Sequence, residues 1–291
     1  MLNLEVLLAA FGGGLFGAAI GALPAFIFAG IMGLIGISIL SCGGTVDILG
    51  QVAFGTLFGP HIAFAGGVAA AAYAANKKKL LGVGTDLSSP LMKTRDNTVL
   101  IVGGLFGVIG YLINYFYSVV LALQTDTVAM TVFTSGLIAR LIFGSTGIFG
   151  KYEAKVEGNS GGAHGSVIEK RRFIPDCKSL SLTIVLSLGV GLVISYITDS
   201  TQIVNLGFCI SAASLLFAQM GFEIPTTHHI TMVAGYATIA TGSIFIGALF
   251  AILSGVLCEI AGMVFNSYND SHIDPPATAI FILSFVIFVF M

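Results

Sequence analysis

The chain has 291 residues, of which 56% are hydrophobic and only 9% charged, with a formal net charge of -2. A soluble domain carries roughly 25% charged residues, so this composition lacks the polar surface that a water-exposed fold needs, and it offers no basic surface for nucleic acid. What remains is an all-α polytopic membrane protein whose solvent is lipid.

Apolar segments run at about 5–22, 24–41, 60–76, 98–121 and 128–149, then 180–197, 203–220, 229–242, 244–265 and 275–291. That pattern predicts about ten transmembrane segments. Several fall short of the ~20 residues that a perpendicular span needs, notably those opening at His61 and His229, so some helices are expected to be short, broken or re-entrant. The eighth and ninth segments run together and divide at Thr241-Gly242-Ser243. Thirty-eight glycines and 23 phenylalanines suit helices that pack closely on one face and meet lipid on another. The N-terminus, Met1-Leu-Asn-Leu-Glu, lacks a basic leader, so the first helix is expected to be retained.

The basic residues orient the chain. Lys77, Lys78, Lys79, Lys93 and Arg95 lie between the third and fourth segments, and Lys151, Lys155, Lys170, Arg171, Arg172 and Lys178 between the fifth and sixth. With ten spans, both loops share one side, which the positive-inside rule makes the cytoplasm. Both termini are then expected outside, and the plasma membrane is the expected location.

A polar stretch, 150–179, divides the chain near its middle and includes Glu-Gly-Asn-Ser-Gly-Gly-Ala-His-Gly. On either side the sequence resembles itself. Gly103-Gly-Leu-Phe-Gly-Val-Ile-Gly answers to Gly247-Ala-Leu-Phe-Ala-Ile-Leu-Ser, 144 positions on, and the same offset carries Asp126 onto Asp270 and Thr134 onto Thr278. Pro60-His61-Ile-Ala-Phe-Ala-Gly-Gly answers to His228-His229-Ile-Thr-Met-Val-Ala-Gly, with 168 positions between His61 and His229. Five spans per half turn the second half upside down. The expected domains are therefore a first five-helix repeat at 1–149, a cytoplasmic linker at 150–179 and an inverted second repeat at 180–291, with a pathway between them.

Polar groups at membrane depth are costly unless paired or hydrated, so each is a candidate site. His61, His228 and His229 come first, each opening a short segment near Pro60 or Pro225; they suit hydrogen bonding to a solute, proton relay or, less readily, a metal, against the plainer reading of helix ends at the interface. Asp47 and Glu223 precede these segments as candidate ion-binding acids. Glu259 sits within the ninth segment with no basic neighbour in sequence. Arg140, the only basic residue outside the two loops, has three readings: a partner for Glu259, an attractor of anions, or a side chain reaching toward the cytoplasmic face. Cys42, Cys177, Cys209 and Cys258 show no metal-ligand spacing, and no nucleotide-binding loop occurs, so no cofactor is expected.

The last segment opens with His272-Ile-Asp274-Pro275-Pro276-Ala277-Thr278-Ala279, where Asp274 is placed to cap a helix. Asp274-Pro-Pro-Ala-Thr-Ala resembles the His-Pro-Pro-Ala signature of HPP-family membrane proteins, with Asp in place of the defining His. That resemblance implies membrane transport, in some members of nitrite, and adds Asp274 to the candidate pathway. The five-plus-five arrangement also resembles that of urea transporters. Together these readings give a transporter or channel for a small polar solute or ion, embedded in the bilayer and forming a homo-oligomer. An intramembrane enzyme built on the histidines and acids, and a membrane subunit of a larger complex, are the alternatives.

Overall fold

The computed structural model describes residues 2–152 and 171–291, and every regular element among them is helical. The stretch 153–170, which holds Lys155, Lys170 and the glycine-rich part of the linker, lies outside the described residues. In chain order the helices are α1 (Leu4–Ile20), α2 (Ala22–Ser41), α3 (Ala65–Asn76), α4 (Asn97–Tyr115), α5 (Thr127–Phe143), α6 (Cys177–Thr201), α7 (Asn205–Ser214), α8 (Leu216–Gln219), α9 (His228–Thr241), α10 (Ile244–Phe265) and α11 (Pro275–Phe290). Wider π turns at Pro60–Phe64 and Phe116–Val120 lead into α3 and extend α4.

These elements fall on the predicted apolar segments, except that the fifth ends at Phe143 rather than near residue 149. Gly144 stops it, and the polar run Gly144-Ser145-Thr146 turns to meet the loop before α11. Among the described residues, four helices are long and apolar enough to cross a membrane: Ala22–Ser41, Asn97–Val120, Cys177–Thr201 and Ile244–Phe265. Shorter apolar helices stand beside them at Leu4–Ile20, Thr127–Phe143, Asn205–Gln219 and Pro275–Phe290. Leu182, Val185 and Tyr196 on α6 and Phe245 and Leu249 on α10 are exposed, as expected of helix faces whose solvent is hydrocarbon.

Side chains start most of these helices. Asn3, Asp96, Asp126, Asp176, Ser243 and Asp274 each accept a hydrogen bond from a backbone N–H of the first turn, satisfying a donor that the helix itself leaves free. Gly242 takes φ 65 at the end of α9, a left-handed conformation that glycine adopts without strain, and so separates α9 from α10 where the sequence predicted.

The packing has two similar parts. In the first, α1 lies on α4, and α3 packs on α4 and α5; in the second, α6 lies on α10, and α9 packs on α10 and α11. The two parts meet chiefly where α2 packs on α7 and α5 on α11. The histidine-led helices α3 and α9 are the most enclosed: every residue from Ala65 to Ala72 and from His228 to Gly235 is buried. Phe26, Phe64, Phe208, Met232 and Ile280 belong to one apolar cluster that spans both parts.

Candidate functional site

A cavity of about 870 Å³ lies where the two parts meet. Its walls come from α2, the turn before α3, α5, α7, α9, α10 and α11, with the loop Thr85–Ser88 at its edge. Along α9 the residues His228, Met232 and Tyr236 all face it, because a spacing of four keeps side chains on one helical stripe. That stripe extends about 12 Å at 1.5 Å per residue.

An acid stands at each end of the stripe. At one end Asp274 caps α11 by accepting from the Ala277 N–H at 2.7 Å, while its other oxygen lies 3.1 Å from His272 Nε2. At the other end Asp126 caps α5 by accepting from the Ala129 N–H at 2.8 Å, and Tyr236 donates its hydroxyl to the second oxygen at 2.9 Å. Glu259 also lines the cavity and receives a hydrogen bond from the Thr183 hydroxyl at 3.3 Å. His228 is only 6% exposed, and its Nδ1 lacks a hydrogen-bond partner among the described residues. Its ring lies 4.6 Å from that of Phe26 and 5.7 Å from that of Phe208.

Three residues expected from sequence therefore meet here: His228, Glu259 and Asp274. The others do not join them. His61 lines a separate cavity of about 470 Å³ with Glu5, Gln51, Tyr111 and Asn114, and Phe54 borders both cavities. His229 is buried beside His228, the two rings 5.9 Å apart and nearly perpendicular, but it lines neither cavity. Adjacent residues on a helix point about 100° apart, which sends the two rings to different neighbours. The histidines are thus not gathered around one point, and among the described residues no group of three or more His, Cys, Asp or Glu is arranged to hold a metal.

Asp47 and Glu223 also depart from expectation, since both are exposed and line neither cavity. Asp47 turns back on its own loop, accepting from the Gly50 N–H at 2.7 Å, and Glu223 lies in the segment between α8 and α9. Arg140 neither pairs with Glu259 nor faces a cavity. It is 1% exposed and ties the end of α5 to the loops around it, donating to the carbonyls of Ile148 at 2.8 Å, Phe265 at 2.6 Å and Ser271 at 2.5 Å, and to Ser271 Oγ at 3.0 Å. Asp270 belongs to the same junction. Burial raises its carboxyl, but hydrogen bonds from Ser145 and Thr146 outweigh that and hold it below the ordinary carboxylate value.

Asp126 and Tyr236 are the site residues that the sequence reading did not select. Asp126 carried a signal, an acid directly before an apolar segment; Tyr236 carried one too, two turns beyond His228.

The family model matches the full chain, residues 1–291. The chain belongs to DUF7973, a family of unknown function. No curated protein and no solved structure matches it. For this DUF7973 member the chemistry of the cavity is the guide to function.

Proposed function

We propose that this protein is a transporter or channel for a small polar solute or ion, its pathway running through the cavity between two inverted five-helix repeats. The observation that carries this reading is the cavity itself: it is bounded by helices of both halves, and each half contributes one capping aspartate, Asp126 or Asp274, to it. Polar ends of helices enclosed within an apolar bundle are tolerated where they border water or solute.

The parallel packing of α1 on α4 and α6 on α10, and of α3 on α4 and α9 on α10, supports the repeat. So do two atomic correspondences. The His61 carbonyl packs directly against Gly110, and the His229 carbonyl accepts from the Ser254 hydroxyl at 3.0 Å; Ser254 lies 144 positions after Gly110, the offset seen in the sequence. Where α5 meets α11, Ser284 Oγ accepts from the Asp126 N–H at 2.8 Å and the Thr125 hydroxyl donates to the Phe281 carbonyl at 2.6 Å, while Gly136 packs against His272 and Ile273. Both Asp126 to Asp274 and Gly136 to Ser284 are steps of 148. In this reading Asp274, not Asp270, answers to Asp126. The short helices α3 and α9 then sit at the centre of their halves, the plasma membrane is the host, and both termini face outward.

Flux into proteoliposomes containing only the purified chain tests the proposal. The expected result is solute entry that protein-free vesicles lack and that His228→Ala reduces at least several-fold without changing the amount reconstituted. Flux equal to that of empty vesicles across cationic, anionic and neutral small solutes would overturn it.

A further inference from the structure

We propose that the cavity is selective for cations and that its ligand is a small organic cation of the ammonium class. The inference deepens the transport reading and rests on it for biological purpose, though binding can be measured without flux.

Charge is the first ground. Asp86, Asp126, Glu259 and Asp274 line the cavity, and no Lys or Arg does among the described residues. Among the described residues, only one of these acids has a basic partner in contact, Asp274 with His272. Asp126 is held by neutral donors, the Ala129 N–H and the Tyr236 hydroxyl, and Glu259 by the Thr183 hydroxyl. A carboxylate has room for about four hydrogen bonds, so each can still accept from an ammonium N–H or face a quaternary ammonium charge. An anion such as nitrite would meet the same oxygens as repulsion.

The second ground is the remaining wall. Phe26, Phe54, Phe64, Phe208 and Tyr236 line the cavity, with the Phe26 ring 5.7 Å from Phe64 and 5.6 Å from Phe208. Aromatic faces attract cations and favour those that shed water easily, which selects an alkylammonium over a strongly hydrated metal ion. Size agrees. A space of about 870 Å³ is of small-molecule scale, far larger than the tight oxygen cage that a bare metal ion needs. Finally, His228 borders the cavity, more than nine-tenths buried, and its Nδ1 has no hydrogen-bond partner among the described residues.

The acids lie at separate depths, Asp274 near His228 and Asp126 on Tyr236, about 12 Å along α9. They therefore form two stations for a positive charge rather than one chelating site.

The test is equilibrium dialysis of radiolabelled tetraethylammonium against the purified full chain in detergent. Saturable binding is expected, weakened at least ten-fold in Asp126→Asn and in Glu259→Gln, and unchanged in Asp47→Asn, whose carboxylate lies outside the cavity. Asparagine also caps helices, and glutamine keeps the volume of glutamate, so unfolding is not the expected effect; circular dichroism melts verify this for each variant. The proposal is overturned by absence of saturable tetraethylammonium binding, by both amide variants binding as tightly as the parent, by nitrite displacing the probe, or by radiolabelled sodium binding that tetraethylammonium fails to displace. Binding without flux in vesicles would keep the cation site and remove transport. Flux of a neutral solute or anion without tetraethylammonium binding would do the reverse.

Discussion

Single residues show how the same side chain serves structure and site. Asp274 both caps α11 and borders the cavity, and substitution can separate the two roles. Asp274→Ala should lower stability by about 1 kcal/mol through loss of the cap, whereas Asp274→Asn should hold the melting temperature near that of the parent. With no tryptophan in the chain, a thiol-reactive fluorogenic dye reporting on the buried Cys209 can follow unfolding. Asp96, which caps α4 in the basic loop, offers a pH signature. The Thr98 hydroxyl, and after it Lys78, pull its carboxyl down to about 2. Because the folded value lies below the unfolded one, its contribution is complete above roughly pH 4 and fades as pH falls toward that lower value. The difference in melting temperature between parent and Asp96→Ala should therefore be constant from pH 8 to pH 5 and shrink in stronger acid.

At the scale of elements, Arg140 and Gly110 mark the two kinds of junction. The Arg140 guanidinium satisfies backbone carbonyls from three segments, so Arg140→Met should cost roughly 3 kcal/mol by leaving buried acceptors unpaired. Arg140→Lys should recover only part of this, since an ammonium cannot reproduce the planar fork. Detergent melting curves of the three proteins give the order. At Gly110 a methyl group would overlap the His61 carbonyl oxygen, whereas at Gly12 nothing lies within 4 Å. Gly110→Ala should push the turn before α3 away from α4 and reduce the yield of folded protein in size-exclusion chromatography; Gly12→Ala should elute as the parent does.

For the whole molecule, the prediction is orientation. Eleven of the 12 basic residues fall in two loops, and at the start of each the chain meets the α10–α11 loop, Asn76 at the end of α3 donating to the Asp270 carbonyl and the Lys151 N–H to the Tyr268 carbonyl. Two native cysteines report the two sides. Cys42 ends α2 and Cys177 opens α6, and both are exposed. In single-cysteine variants of intact cells, a membrane-impermeant maleimide should label Cys42 and spare Cys177 until the membrane is permeabilised. The opposite pattern would reverse the proposed orientation.

The all-helical class, most helix limits and the break at Gly242 were legible from sequence alone, because long apolar runs with polar ends were the dominant signal. The candidate acids and histidines were legible only as an inventory, since rarity at membrane depth marks a residue without saying what it faces. His228 and His229 are neighbours in the chain, yet one reaches the cavity and the other does not. Asp126 and Asp274, 148 positions apart, line a common wall, and Arg140 spends its charge on loop carbonyls. Those outcomes depend on helix rotation and on which helices cross at the centre. They are set by close packing among glycine and alanine faces distant in sequence, and so the tertiary structure alone decided them.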